Sequence, residues 1–304
     1  MDYHIDNAKS VLKKNGKSFY WAGKLLTKEY INRAAELYSF CRALDDIADS
    51  KKKDALKVLN NIRFNVSKKS FSKLDKLYTI KYPIFFEKPS NKAAIDLIDG
   101  LILDQNSVLF NQQSELIRYS YYVAGTVGLM MCDALKCKNN DAKLFAIDLG
   151  IAMQLTNIAR DVLEDANMGR RYLPGSWIEN ISPSDIVIAA KTKDFKKIKI
   201  ISNGIKKLLL LADKYYSSGA KGFIYLPFKT RVAISVASGV YREIGVQLKN
   251  QNYNWYNGRQ VTSILTKTKI TLLKILKELF LCRIKKTHES ELHTHLKGLV
   301  NFDK

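Results

Sequence analysis

Apolar residues recur along this chain at the spacing of an α-helix, that is at i, i+3, i+4 and i+7. The stretches with this periodicity cover approximately 28–49, 92–108, 112–136, 141–168, 195–217, 229–249 and 268–285. All five prolines lie in the gaps between them, and "SPSD" at 182–185 has the pattern that begins a helix. Strand patterns and linker-like composition are almost absent. The pattern predicts a single all-α domain over residues 1–304, with a polar, loosely ordered tail from about residue 287.

Two of these helices carry a polar stripe on an otherwise apolar circumference. The first stripe consists of Tyr38, Arg42, Asp45 and Asp49, at offsets 0, 4, 7 and 11. The second consists of Gln154, Asn157, Asp161 and Asp165, at offsets 0, 3, 7 and 11. A helix that is apolar around most of its surface is largely buried, so a polar stripe on it requires an explanation.

Both stripes lie in segments that contain no lysine. The chain has 50 Lys and Arg among 304 residues, yet 144–168 contains Arg160 alone, and 29–50 contains only Arg33 and Arg42. The plain alternative is an ordinary solvated face, but such a face should carry lysines in so basic a chain. Two lysine-free stripes with carboxylates spaced i, i+4 instead indicate that the carboxylates serve a ligand.

The residue types in the stripes indicate which ligand. Carboxylates on one helix face converge, and two facing pairs repel each other unless cations join them. Oxygen ligands without His or Cys favour a hard ion, Mg²⁺ or Mn²⁺. Arginines bind phosphate bidentately, and those beside the stripes are Arg42, Arg160, Arg170 and Arg171. We therefore predict a metal-bridged diphosphate inside a helical bundle, with like charges held close together in the apoprotein.

The charge of the whole chain is less specific. A formal net charge of +21 fits a nucleic acid, an anionic membrane surface, a polyanionic substrate or simply a lysine-rich composition. No nucleic-acid-binding motif organises the basic residues, so no nucleic acid partner is expected. No apolar run has the length of a membrane span, and the first residues contain no signal-peptide core. We expect a cytoplasmic protein, peripherally associated with the inner face of the membrane.

The segment 267–286 is basic and amphipathic, so it either lies on a bilayer or forms the last core helix. Cysteines and histidines indicate no nitrogen or sulfur metal site. The cysteines lack CxxC spacing and are predicted to be free thiols: Cys41, Cys132, Cys137 and Cys282. The histidines lie near the two ends of the chain, where solvated surface is expected: His4, His288, His293 and His295.

At this level of detail the two stripes resemble a known pair of motifs. "YSFCRALDDIAD" at 38–49 and "QLTNIARDVLEDANMGRRYLP" at 154–174 resemble the two aspartate motifs of the squalene/phytoene synthase family. The resemblance includes "GKSFYWAGKLL" at 16–26, "VAGTVG" at 123–128, "YYSSGAKGFIYLP" at 215–227, "VYREIGVQL" at 240–248 and "WYNGRQVTS" at 255–263. From 215 to 263 it is nearest to the bacterial phytoene synthases of that family.

The resemblance implies an isoprenoid synthase fold, a helical bundle with a central cavity. It implies a prenyltransferase that joins two geranylgeranyl diphosphates head to head, through prephytoene diphosphate, to phytoene. That reaction is the first committed step of carotenoid biosynthesis. It would use Mg²⁺ or Mn²⁺ and would need no NADPH.

The resemblance also implies roles for single residues. Metal ligands would be Asp45, Asp49, Asn157, Asp161 and Asp165. Contacts to diphosphate or to the reacting carbons would come from Tyr38, Arg42, Gln154, Arg160, Tyr241 and Arg259. Of these two sets, the four aspartates, Arg160 and Tyr241 would be catalytic. The stretch Asn15, Gly16, Lys17 and Ser18 would close over a diphosphate. Many relatives carry His where Asn15 stands, which puts the role of that position in doubt.

Three alternatives stay open at this point. A squalene or dehydrosqualene synthase acting on farnesyl diphosphate would share the motifs, because no motif reports cavity depth. A non-catalytic assembly factor with the same fold should have lost the carboxylates, and both pairs are intact. A basic membrane- or nucleic-acid-binding protein would leave the lysine-free stripes unexplained. The sequence predicts no particular oligomeric state.

Overall fold

A computed structural model describes residues 2–50, 54–83, 85–106, 108–137, 139–281 and 284–299. Its α-helices are α1 Asp2–Asn15, α2 Lys17–Gly23, α3 Lys28–Ala48, α4 Ala55–Ser67, α5 Phe71–Tyr78, α6 Lys88–Leu103, α7 Gln113–Ser120, α8 Thr126–Ala134, α9 Asn140–Arg160, α10 Val162–Asn167, α11 Pro183–Thr192, α12 Phe195–Lys221, α13 Phe228–Asn250 and α14 Ile264–Phe280. A π-helical turn, Tyr121–Gly125, joins α7 to α8, and short 3₁₀ segments cover Gly175–Trp177, Gly222–Tyr225 and Ser290–Leu296. Within these ranges the only β feature is an isolated bridge between Leu109 and Arg171. The all-α prediction is confirmed.

Local sequence accounts for several helix starts. The Ser182 hydroxyl accepts a hydrogen bond from the backbone N–H of Asp185 at 3.1 Å, as the "SPSD" pattern predicts. The predicted helix over 141–168 is instead two helices, α9 and α10, separated at Asp161. Asp161 has φ −104° and ψ 15°, outside the helical region. The break lies in the middle of the second polar stripe, so it re-aims the carboxylates that follow.

Helix α9 forms the centre of the bundle. It packs against α8, α12, α13 and the π-helical turn. Its inner residues Ile151, Leu155 and Ile158 are buried in the main apolar core. Two glycines set how closely the neighbouring backbone approaches. A Cβ on Gly150 would lie 2.2 Å from the carbonyl oxygen of Ala124, and one on Gly128 would lie 2.1 Å from that of Ala146. Helix α9 can therefore sit directly against α8 and the π-helical turn.

The C-terminal segment, residues 284–299 of the described chain, is packed rather than loose. The Tyr215 hydroxyl donates to the carbonyl of Leu292 at 2.7 Å, and Arg118 donates to that of His295 at 3.2 Å. Leu296 is fully buried. The prediction of a loosely ordered tail from about residue 287 was based on its polar composition, and the structure differs because a few apolar anchors dock it.

The thiol prediction is confirmed for Cys41, Cys132 and Cys137, which are free; Cys282 lies outside the described residues. The prediction of solvated histidines is wrong for His288 and His293, whose side chains are 8% and 7% exposed. The side chain of His4 is outside the described part of the chain.

None of the described helices is both long enough and apolar enough to cross a bilayer. Helix α14 has an unusual arrangement, because Lys267 and Glu278 face the bundle while its leucines face outward. It packs along α13, so it is the last helix of the bundle and also presents an apolar surface.

Candidate active site

A cavity of about 470 Å³ lies between α3, α8, α9 and α13. Its lining changes character along the two helices that carry the polar stripes. The N-terminal halves of α3 and α9 contribute apolar side chains such as Ile31, Phe145 and Leu149. The C-terminal halves contribute polar ones, and Tyr241 of α13 joins them. The cavity therefore has an apolar end and a polar end.

The structure brings many of the predicted site residues into one lining. Those in the cavity wall are Asn15, Tyr38, Arg42, Asp45, Gln154, Asn157, Arg160 and Tyr241. The others lie outside the wall: Gly16, Lys17, Ser18, Asp49, Asp161, Asp165 and Arg259. Of this second set, Asp161 and Arg259 are joined by an ion pair of 3.1 Å, and Asp161 is joined to Arg160 of the wall.

The first stripe places two carboxylates in different surroundings. The pKa of Asp45 is raised to about 7. Burial is the main cause; Arg42 lowers the pKa, and the neighbouring Asp49 contributes to raising it. Arg42 itself donates to the off-stripe Asp46 at 2.5 Å, and its buried Nε has no hydrogen-bond partner among the described residues. Asp49, at the end of α3, is 3.3 Å from the Arg170 guanidinium. Among the described residues Asp45 thus has no Lys or Arg within salt-bridge distance, whereas Asp49 has Arg170.

The second stripe is also asymmetric. Asp161 accepts two bonds from Arg160, at 2.7 and 2.5 Å, and it pairs with Arg259 as well. No Lys or Arg in the described ranges reaches salt-bridge distance of Asp165, whose pKa is raised to about 8 by burial and then by Asp161. The expectation of like charges held together in the apoprotein therefore fits Asp165, but two arginines already compensate Asp161.

An amide oxygen at the same end of the cavity lacks a partner. The Asn157 Nδ2 donates to Gln154 Oε1 at 3.2 Å, which orients the amide. Its Oδ1 is buried and accepts no hydrogen bond from the described residues. A buried acceptor without a donor is costly unless a ligand satisfies it.

Of residues 15–18, Asn15 lines the cavity and Gly16 contacts a ring of its polar end. Gly16 packs on the Tyr38 ring so closely that a Cβ there would be 2.9 Å from it. One turn into α2, Phe19 stacks on Tyr241 with ring centroids 5.0 Å apart. Burial opposes the charged form of Arg160, but Asp161 and then Tyr241 raise its pKa above the usual arginine value. Helices α2 and α13 thus place the rings of Phe19 and Tyr241 beside the stripes.

The two adjacent arginines of the second motif point to different places. Arg170 faces Asp49, whereas Arg171 is buried and donates to the carbonyls of Ile181 and Phe110 at 3.0 and 2.9 Å. The prediction that Arg171 binds phosphate is wrong for this reason: both terminal nitrogens of its buried guanidinium already hold backbone carbonyls, and only Nε lacks a partner among the described residues. Neighbouring residues in an extended stretch project to opposite sides, which the motif alone does not resolve.

Asp104 is a further carboxylate of the site, and the sequence analysis missed it. It follows α6 and accepts bonds from the hydroxyls of Tyr119 at 2.6 Å and Tyr172 at 3.2 Å. Burial raises its pKa to about 6, and its charge contributes to the raised pKa of both Asp45 and Asp165. The available signal was an aspartate at a helix C-terminus, where the helix dipole disfavours negative charge.

A helical bundle that encloses an apolar cavity and gathers carboxylates and arginines at one end is the architecture of an isoprenoid synthase. The sequence model of squalene/phytoene synthase matches residues 12–267. The chain belongs to the squalene/phytoene synthase family.

Relatives and solved structures agree with that assignment. The chain is 31% identical to the 15-cis-phytoene synthase of Pantoea ananas, over 88% of this chain and 89% of that protein. It is 32% identical to the phytoene synthase of Rhodobacter capsulatus, over 82% of this chain and 74% of that protein. A crystal structure of a dehydrosqualene synthase with ligand superposes with a TM-score of 0.72 at 26% identity, covering 90% of this chain and 95% of that one. A squalene synthase from Alicyclobacillus acidocaldarius shares the fold at 17% identity and TM-score 0.68, over 82% of this chain and 94% of that one.

Proposed function

We propose that this chain condenses two geranylgeranyl diphosphates head to head, through prephytoene diphosphate, to phytoene. The observation that carries the proposal is one cavity with an apolar chamber whose polar end is lined by Tyr38, Arg42 and Asp45 of the first stripe and by Gln154 and Asn157 of the second. Both carboxylate pairs are intact, which disfavours a non-catalytic assembly factor. The similar proteins named phytoene synthase favour the C20 substrate over farnesyl diphosphate.

The ligand set fits Mg²⁺ or Mn²⁺. The residues that would hold such ions are Asp45, Asp49, Asn157, Asp161 and Asp165. Two observations support the fit: Asn157 Oδ1 is a buried acceptor with no donor among the described residues, and the pKa values of Asp45 and Asp165 are raised chiefly by burial and also by neighbouring carboxylates. All of these donors are oxygens, which hard ions prefer. When bound, the metal neutralises charge on the diphosphate leaving group.

The arginines would hold the diphosphate from the other side. Arg160 and Arg259 now bind Asp161, so a metal that takes the Asp161 carboxylate would free both guanidinium groups for phosphate oxygens. Arg42, with its unpartnered Nε, is a third donor at the same end. A planar guanidinium matches a phosphate with two parallel bonds, which fixes its orientation. Asn15 to Ser18 would then cover the diphosphate from above.

The apolar chamber would protect the reacting carbons. Its walls exclude water that would otherwise quench a carbocation. The stacked rings of Phe19 and Tyr241 line the same cavity, and ring faces can stabilise developing positive charge. The last step of this reaction is a proton loss, so no reductant is required, and we propose turnover without NADPH.

Product analysis tests this proposal. The purified chain is incubated with Mg²⁺ and either the C15 or the C20 prenyl diphosphate, with and without NADPH, and products are identified by mass spectrometry. We expect phytoene from the C20 substrate alone, independent of NADPH. A C30 product from farnesyl diphosphate would identify a squalene or dehydrosqualene synthase instead. Failure to form a hydrocarbon from either substrate would contradict catalysis, provided that the protein is folded.

A pair of variants separates the site from general damage. Asp45→Asn removes a carboxylate from the cavity wall, and turnover should fall by orders of magnitude because charge neutralisation in the transition state is lost. Asp54→Asn is the matched control, since Asp54 is exposed at the start of α4 and its side chain makes no capping hydrogen bond. Equal activity in the two variants would place Asp45 outside the mechanism.

We also propose that the outward face of α14 binds an anionic membrane surface. Leu265, Leu272, Leu276 and Leu279 occur at offsets 0, 7, 11 and 14, so they form one stripe, and they are exposed by 83%, 59%, 43% and 57%. The exposed Lys269 and Lys277 flank this stripe, and exposed lysines follow α14 at 285 and 286. Apolar side chains bordered by cations are typical of helices that lie in the headgroup region.

Vesicle co-sedimentation tests the membrane proposal. We expect binding to vesicles that contain phosphatidylserine, weak binding to vesicles of phosphatidylcholine alone, and a decrease with salt. Leu265→Ser combined with Leu272→Ser should reduce binding. Phe195→Ser is the control, because Phe195 is 78% exposed but belongs to α12. Equal loss in the control, or equal binding to both vesicle types, would contradict a role for this face.

A further inference from the structure

Three titratable side chains meet in the interior, away from the cavity. They are Asp148 of α9 and His288 and His293 of the C-terminal segment, with side chains 0%, 8% and 7% exposed. The Nε2 of His288 lies 2.8 Å from Asp148 Oδ2, and the Nε2 of His293 lies 2.7 Å from Oδ1. Asp148 projects from α9 on a different side from Gln154 and Asn157, which line the cavity. These three groups therefore have no part in the proposed reaction.

A fourth polar group is directed at the same point. The hydroxyl of Ser218, on α12, is buried and makes no hydrogen bond of ordinary geometry with the described residues. It nevertheless lies near enough to Asp148 to help the two histidines lower the pKa of that carboxyl, against the effect of burial. The Ser218 hydroxyl is therefore a further polar group close to the Asp148 carboxylate.

The charge of the cluster also calls for a cation. No Lys or Arg in the described ranges is within salt-bridge distance of Asp148, although its carboxylate is fully buried. The groups that contact its two oxygens are the imidazole nitrogens of His288 and His293. Burying a carboxylate is strongly unfavourable unless positive charge or hydrogen-bond donors reach it. A metal ion held by these three side chains would supply such charge.

We propose that Asp148, His288 and His293 form a binding site for a divalent transition ion of the zinc class. Their ligand atoms lie within 4.8 Å of one another, and all three point inward. Two imidazole nitrogens and one carboxylate oxygen are an ordinary zinc ligand set, with a fourth position left for a water or the Ser218 hydroxyl. Tetrahedral bonds of about 2.0–2.1 Å place ligand atoms roughly 3.3 Å apart. That spacing lies between the nitrogen–oxygen distances of 2.7 and 2.8 Å and the 4.8 Å that bounds the whole cluster, so a modest rearrangement of these side chains would admit an ion.

The position of the site indicates what the ion does. His288 and His293 are about 140 residues from Asp148 in the chain, and the site joins the C-terminal segment to the central helix. Apart from it, the segment is held by hydrogen bonds such as that from Tyr215 to Leu292, by the ion pair between Lys221 and Glu289, and by the buried Leu296. A bound ion would hold this segment against α9 at Asp148. Its role is structural, separate from the magnesium ligands of the cavity.

Metal titration of the full chain tests the proposal. Protein stripped with a chelator and returned to chelator-free buffer near neutral pH is titrated with Zn²⁺ against a chromophoric competitor. We expect one tight equivalent and a rise in the thermal midpoint of about 5 °C with zinc near 100 times its Kd. Co²⁺ should give the intense visible bands of a four-coordinate ion. Binding should weaken as pH falls, since histidine ligands must lose their protons.

Variants assign the binding to this cluster. His288→Gln and His293→Gln should each weaken zinc binding at least tenfold and abolish the visible Co²⁺ bands. They retain a possible hydrogen bond to Asp148, so they are preferable to Asp148→Asn if that variant fails to fold. Two controls should keep the tight equivalent: Asp45→Asn, which disrupts the other cation site, and Cys132→Ser combined with Cys137→Ser. If the wild type binds no zinc tightly, or if the histidine variants bind it unchanged, the proposal is wrong. The three side chains would then serve only to hydrogen-bond the C-terminal segment to α9.

Discussion

Asp161 and Asp165 lie on the same stripe, yet replacing each with asparagine should change the stability of the metal-free protein in opposite directions. Asp161 is compensated by Arg160 and Arg259. Asp165 has a pKa raised to about 8, chiefly by burial. The amide is nearly isosteric with the carboxylate in both cases, so the comparison isolates charge.

The magnitude for Asp165 follows from its pKa. An unfolded aspartate has a pKa near 3.8, so its ionisation favours the unfolded state at every pH above that value. The loss of stability grows as pH rises from there to about 8 and is then constant. At neutral pH the difference between the two pKa values corresponds to a loss of about 4 kcal/mol in the free energy of unfolding. Partial solvent exposure of the carboxylate reduces this loss to about 1–2 kcal/mol. Asp165→Asn removes this loss and should raise the melting temperature by about 2–4 °C.

For Asp161 the sign is reversed. Replacing it deprives a largely buried Arg160 of a bidentate partner, and charge-assisted bonds of this kind are worth about 2 kcal/mol or more. Asp161→Asn should therefore lower the melting temperature of the metal-free protein. This differs from the expectation that the carboxylates of the stripe only repel one another. The reason is that Arg160 of α9 and Arg259, which follows α13, both pair with Asp161.

The assay is a melting curve for each variant in EDTA at pH 5 and pH 8, together with turnover of the C20 substrate with Mg²⁺. Both variants should lose activity by orders of magnitude, since each lacks a proposed metal ligand. The gain for Asp165→Asn should be larger at pH 8 than at pH 5. A drop in stability for Asp165→Asn at pH 8, or shifts of the same sign in both variants, would refute this account of the charges.

Three further outcomes are expected. Arg160→Lys should reduce kcat/KM at least tenfold despite its retained charge, because an ammonium cannot form two parallel bonds to phosphate; near wild-type kinetics would make Arg160 structural. Arg171→Gln should lower the free energy of unfolding by about 3 kcal/mol, measured by urea titration, because its guanidinium donates to buried carbonyls; an unchanged midpoint would contradict this. Gly150→Ala should destabilise the protein, since its Cβ would lie 2.2 Å from the Ala124 carbonyl, and a melting temperature within error of wild type would mean that the helices can separate freely.

The amino-acid sequence alone determined the features that depend on neighbours along the chain. Helical periodicity predicted the helices because it repeats every few residues, and the Ser182 cap is a contact across three positions. Spacing likewise placed Asp45 beside Asp49 and Gln154 beside Asn157, since i, i+3 and i, i+4 positions share a helix face. The absence of lysine from both stripes indicated that these faces serve a ligand.

Only the tertiary structure decided how the charges are compensated. Asp104 joins the site because α6 ends beside Tyr119 and Tyr172, and no local spacing reports that contact. Arg170 and Arg171 are adjacent in sequence, but one faces Asp49 and the other buries its donors among carbonyls. Their position near the ends of the chain suggested solvated histidines, whereas His288 and His293 contact the buried carboxylate of Asp148, which lies far from them along the chain. The physical reason is that burial and electrostatic partners are set by contacts between distant segments, and a linear pattern contains only the near ones.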